Sequence, residues 1–379
     1  MKKRMIIMAT VLLLAGCSKK VEKKIEQPKE TVNSHFKVIK HYEIKATVGE
    51  GGSFHYLDGN KLYTSIEREN SPIFLGYQSK SLGYIDITNG KYIPIYHFKG
   101  LVRCWDFFVH EKGFYSSEFK EDGEKVTVQY KTNGQSKKID EGVLVNPWAI
   151  PNFQKIGGNR LLYQIITKEK GHYFYHLKTV NLSNPSDIKI LYKGEVYPKV
   201  SYNYQYCVNR NKVTFNKTDG KKGWHLSLDL KTGKVSDITS VIKNPTSNTI
   251  YLGNNQYLFE TNRGHRGIIY DVEKKKEILS FGGSTGYLVG IGDRYIFAVF
   301  GLGGEHSLDD SGELVELKDG KTRIVKVKGY KNVGSEGSLM FYGNGKLVTA
   351  TQKLANYNKA DRHHVMIIDL LEESNEKNS

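Results

Sequence analysis

The sequence predicts an all-β chain folded as a seven-bladed β-propeller of four-stranded antiparallel blades, and three observations carry that prediction. A phrase recurs seven times: an apolar strand, a tight turn, a second apolar strand. The turns are Asp58-Gly59-Asn60-Lys61, Glu111-Lys112-Gly113, Gly157-Gly158-Asn159-Arg160, Asn209-Arg210-Asn211-Lys212, Gly253-Asn254-Asn255-Gln256, Gly292-Asp293-Arg294 and Gly343-Asn344-Gly345-Lys346. Asn, Asp and Gly tolerate the positive φ of two-residue hairpin turns, so each phrase has a steric cause. The phrases recur at roughly 40 to 50 residues, the period of a four-stranded blade. Finally, 25 Tyr and 38 Gly against only 8 Pro suit a strand-rich chain with glycine turns, and no useful amphipathic helical pattern is present.

In chain order, the first element is a leader, residues 1–16. Lys2, Lys3 and Arg4 precede an apolar stretch from Met5 to Gly16, shorter than the ~20 residues a spanning helix needs. It ends in Leu14-Ala15-Gly16-Cys17. This tetrad resembles the lipobox of bacterial lipoproteins. The resemblance implies cleavage before Cys17, a diacylglyceryl thioether on its sulfur, acylation of the new amino terminus and anchoring on the extracytoplasmic face of the envelope. Several acyl chains anchor stably where one does not. An ordinary secretory leader with a chance cysteine is the alternative. Residues 17–34 read as the lipidated cysteine followed by a Lys/Glu-rich flexible tether.

The propeller is expected over 35–371, followed by a polar tail at 372–379. Blade one reads SFHYLD, KLYTSIE, SLGYIDI and YIPIYHF; blade two DFFVHE, GFYSSEF, KVTVQYK and SKKIDEG; blade three NFQKIG, RLLYQIIT, YFYHLKTVNL and IKILYKG. Blade four reads YQYCVNR, KVTFNK, WHLSLDL and VSDIT; blade five TIYLGN, QYLFETN, GIIYDV and KEILSF; blade six GYLVGIG, RYIFAVFG, GELVELK and RIVKVKG. Blade seven supplies only GSLMFYGN, KLVTATQ and HHVMIIDL. Its missing outer strand has a candidate in the orphan run His35–Ile44, which closes the ring if it pairs there and limits exposed sheet edges. Six blades with one unit misread, or eight with one cryptic, are the competing counts. The whole resembles the broad group of bacterial surface propellers with D/N-G turns.

Two cysteines remain beyond the leader. Cys104 is placed in the connection entering blade two and Cys207 on the first strand of blade four, too far apart for the ~7 Å Cα separation of a disulfide. Two buried thiols are expected. The net charge is +16, with lysines spread over every blade. That excess favours an anionic envelope partner or reflects a solvated, lysine-rich surface. No nucleic-acid partner is expected outside a cell, and the chain reads as a monomer without cofactor or metal.

Loops joining second to third strands share one face with the links between blades. They are short in blades two to five and long in blades one (Arg68 to Lys80), six (Leu302 to Ser311) and seven (Lys353 to Arg362). In a seven-bladed ring these three are neighbours and form one wall, where binding usually resides. Candidate ligand contacts there are Tyr77 in blade one, Glu305, His306 and Asp309 in blade six, and Tyr357, Arg362 and His363 in blade seven. The blade-six loop lacks the D-x-[DN]-x-[DN]-G calcium pattern and also reads as solvated acid. Trp105 and Trp148, placed in interblade links, offer aromatic platforms or act as wedges between sheets.

Sialidase Asp boxes, a G-x-S-x-G elbow, kelch diglycines and YWTD repeats are absent, and Trp105-Asp106 is the single WD dipeptide. The expected function is therefore a membrane-anchored, non-catalytic binding or scaffold module for an envelope protein or glycan. The alternative is a carbohydrate-active enzyme, a polysaccharide lyase or glycosidase, on the same face.

Overall fold

The computed structural model describes residues 29–30, 36–45, 50–73, 76–120, 124–132, 134–145, 150–197, 206–240, 245–261, 266–282, 284–291, 294–300, 313–318, 321–330, 338–352 and 362–370. Two N-terminal strands come first, β1 (Lys29–Glu30) and β2 (Phe36–Lys45). Blade one is β3 (Glu50–Asp58), β4 (Lys61–Ile73), β5 (Gly76–Asp86) and β6 (Lys91–His97). Blade two is β7 (Val102–His110), β8 (Gly113–Lys120), β9 (Lys125–Thr132) and β10 (Gln135–Val143). Blade three is β11 (Phe153–Ile156), β12 (Arg160–Glu169), β13 (His172–Asn181) and β14 (Ile188–Val196). Blade four is β15 (Tyr206–Asn209), β16 (Lys212–Thr218), β17 (Gly223–Asp229) and β18 (Val235–Asp237). Blade five is β19 (Pro245–Gly253), β20 (Gln256–Thr261), β21 (Arg266–Asp271) and β22 (Lys276–Gly282). Blade six is β23 (Ser284–Ile291), β24 (Arg294–Phe300), β25 (Glu313–Lys318) and β26 (Lys321–Lys328). Blade seven takes β27 (Ser338–Gly343), β28 (Lys346–Gln352) and β29 (Arg362–Leu370).

The inner hairpins are built as the turn chemistry requires. Gly59, Glu111, Gly158, Asn159, Arg210, Asn254, Asn255, Asn344 and Gly345 all have φ near or above +48°. A second repeated device then appears. The turn residue's carbonyl accepts a bond from the N–H that follows the third strand: Ile87 to Asn60, Leu182 to Asn159, Leu230 to Asn211 and Val272 to Asn255, all 2.8–3.0 Å. One template thus fixes how the three inner strands of a blade meet.

β2 completes blade seven. It runs antiparallel to β29 from Phe36↔Leu370 to Lys45↔Arg362, with one register shift between Val38 and Lys40. The N-terminal segment also does something the sequence did not suggest. β1, inside the expected tether, pairs in parallel with β26, and Phe36 and Lys37 pair with Val327 and Lys328. Blades six and seven consequently share one continuous nine-stranded sheet.

Among the described residues the core lies between blades as seven apolar slabs, one for each junction of a closed ring. Phe54, Leu62 and Ile85 of blade one pack on Val348, Val365 and Ile367 of blade seven. Phe36 and Ile368 of blade seven pack on Val289, Ile296, Leu314 and Val325 of blade six. The other five slabs join blades one to two, two to three, three to four, four to five and five to six.

Two sequence expectations are corrected. The stretch from Arg68 to Lys80 is not an open loop. β4 and β5 continue as a paired arm, with Pro72↔Tyr77 and Ile73↔Gly76, because the register can shift past Arg68 and resume. Cys104 and Trp105 lie not in a link but on β7. A bulge between Cys104 and Asp106 breaks the alternation by which the strand's start would have been recognised. Cys104 and Cys207 are free thiols on separate blades, and burial pushes the Cys207 thiol up to about 11.

Candidate functional site

At the ring's centre, one carboxylate joins three blades. The bulge in β7 presents Asp106, whose Oδ1 lies 2.7 Å from Nδ1 of His55 on β3 and accepts the Phe107 N–H at 2.9 Å. Its Oδ2 accepts the Phe153 N–H of β11 at 2.6 Å. On the other side of the imidazole, His55 Nε2 is 3.0 Å from Ser65 Oγ on the neighbouring β4. Ser, His and Asp are thus connected in the order of a nucleophilic triad. Ser65, however, is fully buried, so no acyl carbon reaches its oxygen in this arrangement. A satisfied buried network of this kind specifies a unique packing, here of the innermost strands of blades one to three. Near the turn end of the same strands is a cavity of about 290 Å³ between Tyr56, Phe108, Phe153 and Lys155. Tyr56 stacks on Tyr63 and Phe108 and accepts the Val109 N–H at 2.7 Å; burial drives its hydroxyl pKa far up.

The opposite end of the blades carries the second-to-third-strand connections. On the flank of blade two a cleft of about 380 Å³ is lined by Glu118, Lys125, Thr127, Gln129, Lys131 and Glu141, with Val102 and Phe119 as its apolar walls. The odd-numbered positions of β9 alternate onto this face. Lys131 sits 2.6 Å from Glu118 Oε1 and 2.8 Å from Oε2, with its ammonium 5.4 and 5.2 Å from the Tyr96 and Phe98 ring centroids of blade one. Ser116 Oγ donates to Glu118 at 2.6 Å. Lys125 pairs with Glu141 at 3.3 Å. Gln129 donates to Thr127 Oγ at 3.1 Å, which in turn donates to the Glu118 carbonyl. The cleft is therefore dense in fixed donors and acceptors, while its two lysines and two glutamates cancel in pairs. Across the junction of blades one and two, Arg103 of β7 pairs with Glu67 of β4 at 2.9 Å.

The residues singled out in the sequence fall as follows. Trp105 is half-buried on β7, packed against the slab between blades two and three, with the Arg103 guanidinium 5.6 Å from its ring. Tyr77 lies on β5 opposite Pro72. Arg362 and His363 open β29, opposite Lys45 and Ile44 of the closing strand. Tyr77, Arg362 and His363 belong to adjacent blades at the loop-bearing end. Cys17, Trp148, Glu305, His306, Asp309 and Tyr357 lie outside the described residues. The buried pairs Glu118–Lys131 and Glu67–Arg103 were missed: the first joins neighbouring strands of one blade across a register that the sequence does not print, and the second meets only through the packing of blade one on blade two. Among the described residues, one trio offers metal-ligand atoms in reach of each other: His41, Glu43 and His364.

The chain matches no protein-family model and no curated protein. Its solved structural neighbours include an oligogalacturonate lyase in complex with manganese, 8% identical, TM-score 0.49, covering 89% of this chain and 98% of the other. An oligogalacturonate lyase from Vibrio parahaemolyticus is also 8% identical, TM-score 0.47, with 88% and 98% covered. The β-propeller domain of the Trilobed protease from Pyrococcus furiosus, with an open velcro topology, is 11% identical, TM-score 0.44, with 83% and 94% covered.

Proposed function

We propose that this chain is a lipid-anchored, extracytoplasmic binding module whose loop-bearing face holds an envelope glycan. The observation that carries the glycan reading is the row of polar side chains lining the cleft on blade two. Its charges are neutralised by their own partners at 2.6–3.3 Å, which suits a hydroxyl-rich ligand better than an apolar one. Hydroxyls donate and accept at once, so they match a wall of fixed donors and acceptors. The anchoring half of the reading rests on the leader and Cys17.

Two experiments test the halves separately. Replacing Cys17 by Ser is expected to move the protein from the membrane fraction to the soluble one; unchanged membrane retention refutes the lipid anchor. For the ligand, glycan-array binding by the purified protein should be reproduced in solution and weakened about tenfold by Lys125→Ala with Gln129→Ala. Each lost hydrogen bond to a charged or polar group is worth roughly 0.5–1.5 kcal/mol or more. An array without signal refutes the glycan reading, and release of unsaturated or reducing products would instead establish an enzyme.

A further inference from the structure

We propose that His41, Glu43 and His364 form a divalent transition-metal site that fastens the two ends of the chain together where the ring closes. His41 and Glu43 stand two residues apart on β2 and so share a face. His364 lies on β29 directly opposite Glu43, with His41 two pairs further on, opposite Met366. That face looks toward blade six: Ile368, in phase with His364 and Met366, belongs to the slab between blades six and seven. Val365, Ile367 and Tyr42, out of phase with them, pack toward blade one.

The geometry is that of a ligand set. His41 Nε2 and His364 Nδ1 are 3.0 Å apart, and one ligand atom from each of the three residues lies within 4.8 Å of the others. Tetrahedral coordination at ~2.0–2.1 Å puts ligand atoms about 3.4 Å apart. The imidazoles need to separate by only a few tenths of an ångström, and the exposed Glu43 already has a carboxylate oxygen within 4.8 Å of both. His364 is 8% exposed and fixed on a central strand, so the site has one rigid ligand and two on the closing strand. Two imidazoles and a carboxylate favour zinc among the abundant cations, and three protein ligands leave one position open to solvent or substrate.

The site also has a structural consequence. Its ligands are 323 residues apart in sequence for the His pair, and they meet only when β2 docks. An ion bound there binds the closed ring and not the open one, and so stabilises closure by mass action.

The test uses the full-length protein, stripped with a chelator and dialysed. Calorimetric titration with Zn²⁺, checked by elemental analysis, is expected to give one ion per chain and a thermal midpoint raised by about 3–6 °C at saturation. His41→Ala and Glu43→Gln, on partly or fully exposed side chains, should keep the circular dichroism spectrum. They are expected to weaken binding at least tenfold and abolish the shift. Co²⁺ should give the intense visible bands of a tetrahedral centre in the parent chain and not in His41→Ala. Absence of stoichiometric Zn²⁺, or binding unchanged in both folded variants, overturns the proposal.

Discussion

Two buried histidines make the fold sensitive to mild acid. His176 on β13 and His225 on β17 are 3% and 2% exposed, and burial holds each pKa down to about 4. His225 Nδ1 meets Thr249 Oγ at 3.2 Å and His176 Nε2 meets Thr167 Oγ at 2.9 Å, bonds suited to neutral rings. Unfolded, both titrate near 6.5. Between those values the unfolded chain binds protons that the folded rings refuse, so stability is complete above pH 6.5 and falls as pH drops toward 4. By pH 4.5 each ring is expected to cost on the order of 2 kcal/mol. Urea unfolding at pH 7 and pH 4.5 measures this. His176→Gln with His225→Asn, which keep one hydrogen-bonding atom in place, should show a clearly smaller loss between the two pH values than the parent chain.

Blades are built from elements whose spacing is set by backbone proximity as much as by side chains. Gly83 lies at the register shift where β5 meets β6, and a Cβ there would sit 2.2 Å from the Ile93 carbonyl oxygen and 2.9 Å from Pro94 Cα. Backbone cannot rotate away, so Gly83→Ala is expected to destabilise by about 1–3 kcal/mol. Gly157→Ala, whose Cβ meets nothing within 4 Å, should change stability by less than about 0.5 kcal/mol in the same denaturation assay. Such elements explain what the sequence could show. Inner hairpins were legible because positive φ restricts their turns to a few residue types. The outer hairpins carried a second signal that went unread: Asp86, Asp229 and Asp271 end third strands and accept N–H bonds from two or three residues on. Hydrogen bonds from Thr88, Thr232 and Lys274 hold these carboxyls below the usual range. The paired arm beyond Arg68 was not legible, since polar residues within a strand look like a loop. Nor was the cleft on blade two, because the residues that line it come from four strands whose register the sequence does not state.

At the scale of the molecule, stability depends on the ends meeting. Phe36 is fully buried in the slab between blades six and seven, and Arg294 of blade six lies 5.8 Å from its ring centroid. Lys40 Nζ and Tyr42 OH both donate to the Thr88 carbonyl of blade one, at 2.7 and 2.8 Å. The closing strand therefore grips the blades on either side of its own. Removing β2 would uncover Phe36's slab and leave β29 as an unpaired edge, an aggregation-prone arrangement. Deletion of residues 1–45 is accordingly expected to yield insoluble or molten protein, by gel filtration and near-ultraviolet circular dichroism. Connectivity, by contrast, should be dispensable. Leu370 and Phe36 are directly opposite in an antiparallel pair, so an Asn-Gly turn can join them as an ordinary hairpin. A permutant beginning at residue 46, with residues 36–45 placed after Leu370 and that turn, keeps every β2–β29 bond while losing the leader, the tether and the β1 pairing. It should fold with a near-native spectrum and a thermal midpoint within a few degrees of the parent's. A permutant that behaves like the deletion would show instead that the parallel seam of β1 and β26, rather than the blade-seven hairpin, holds the ring shut.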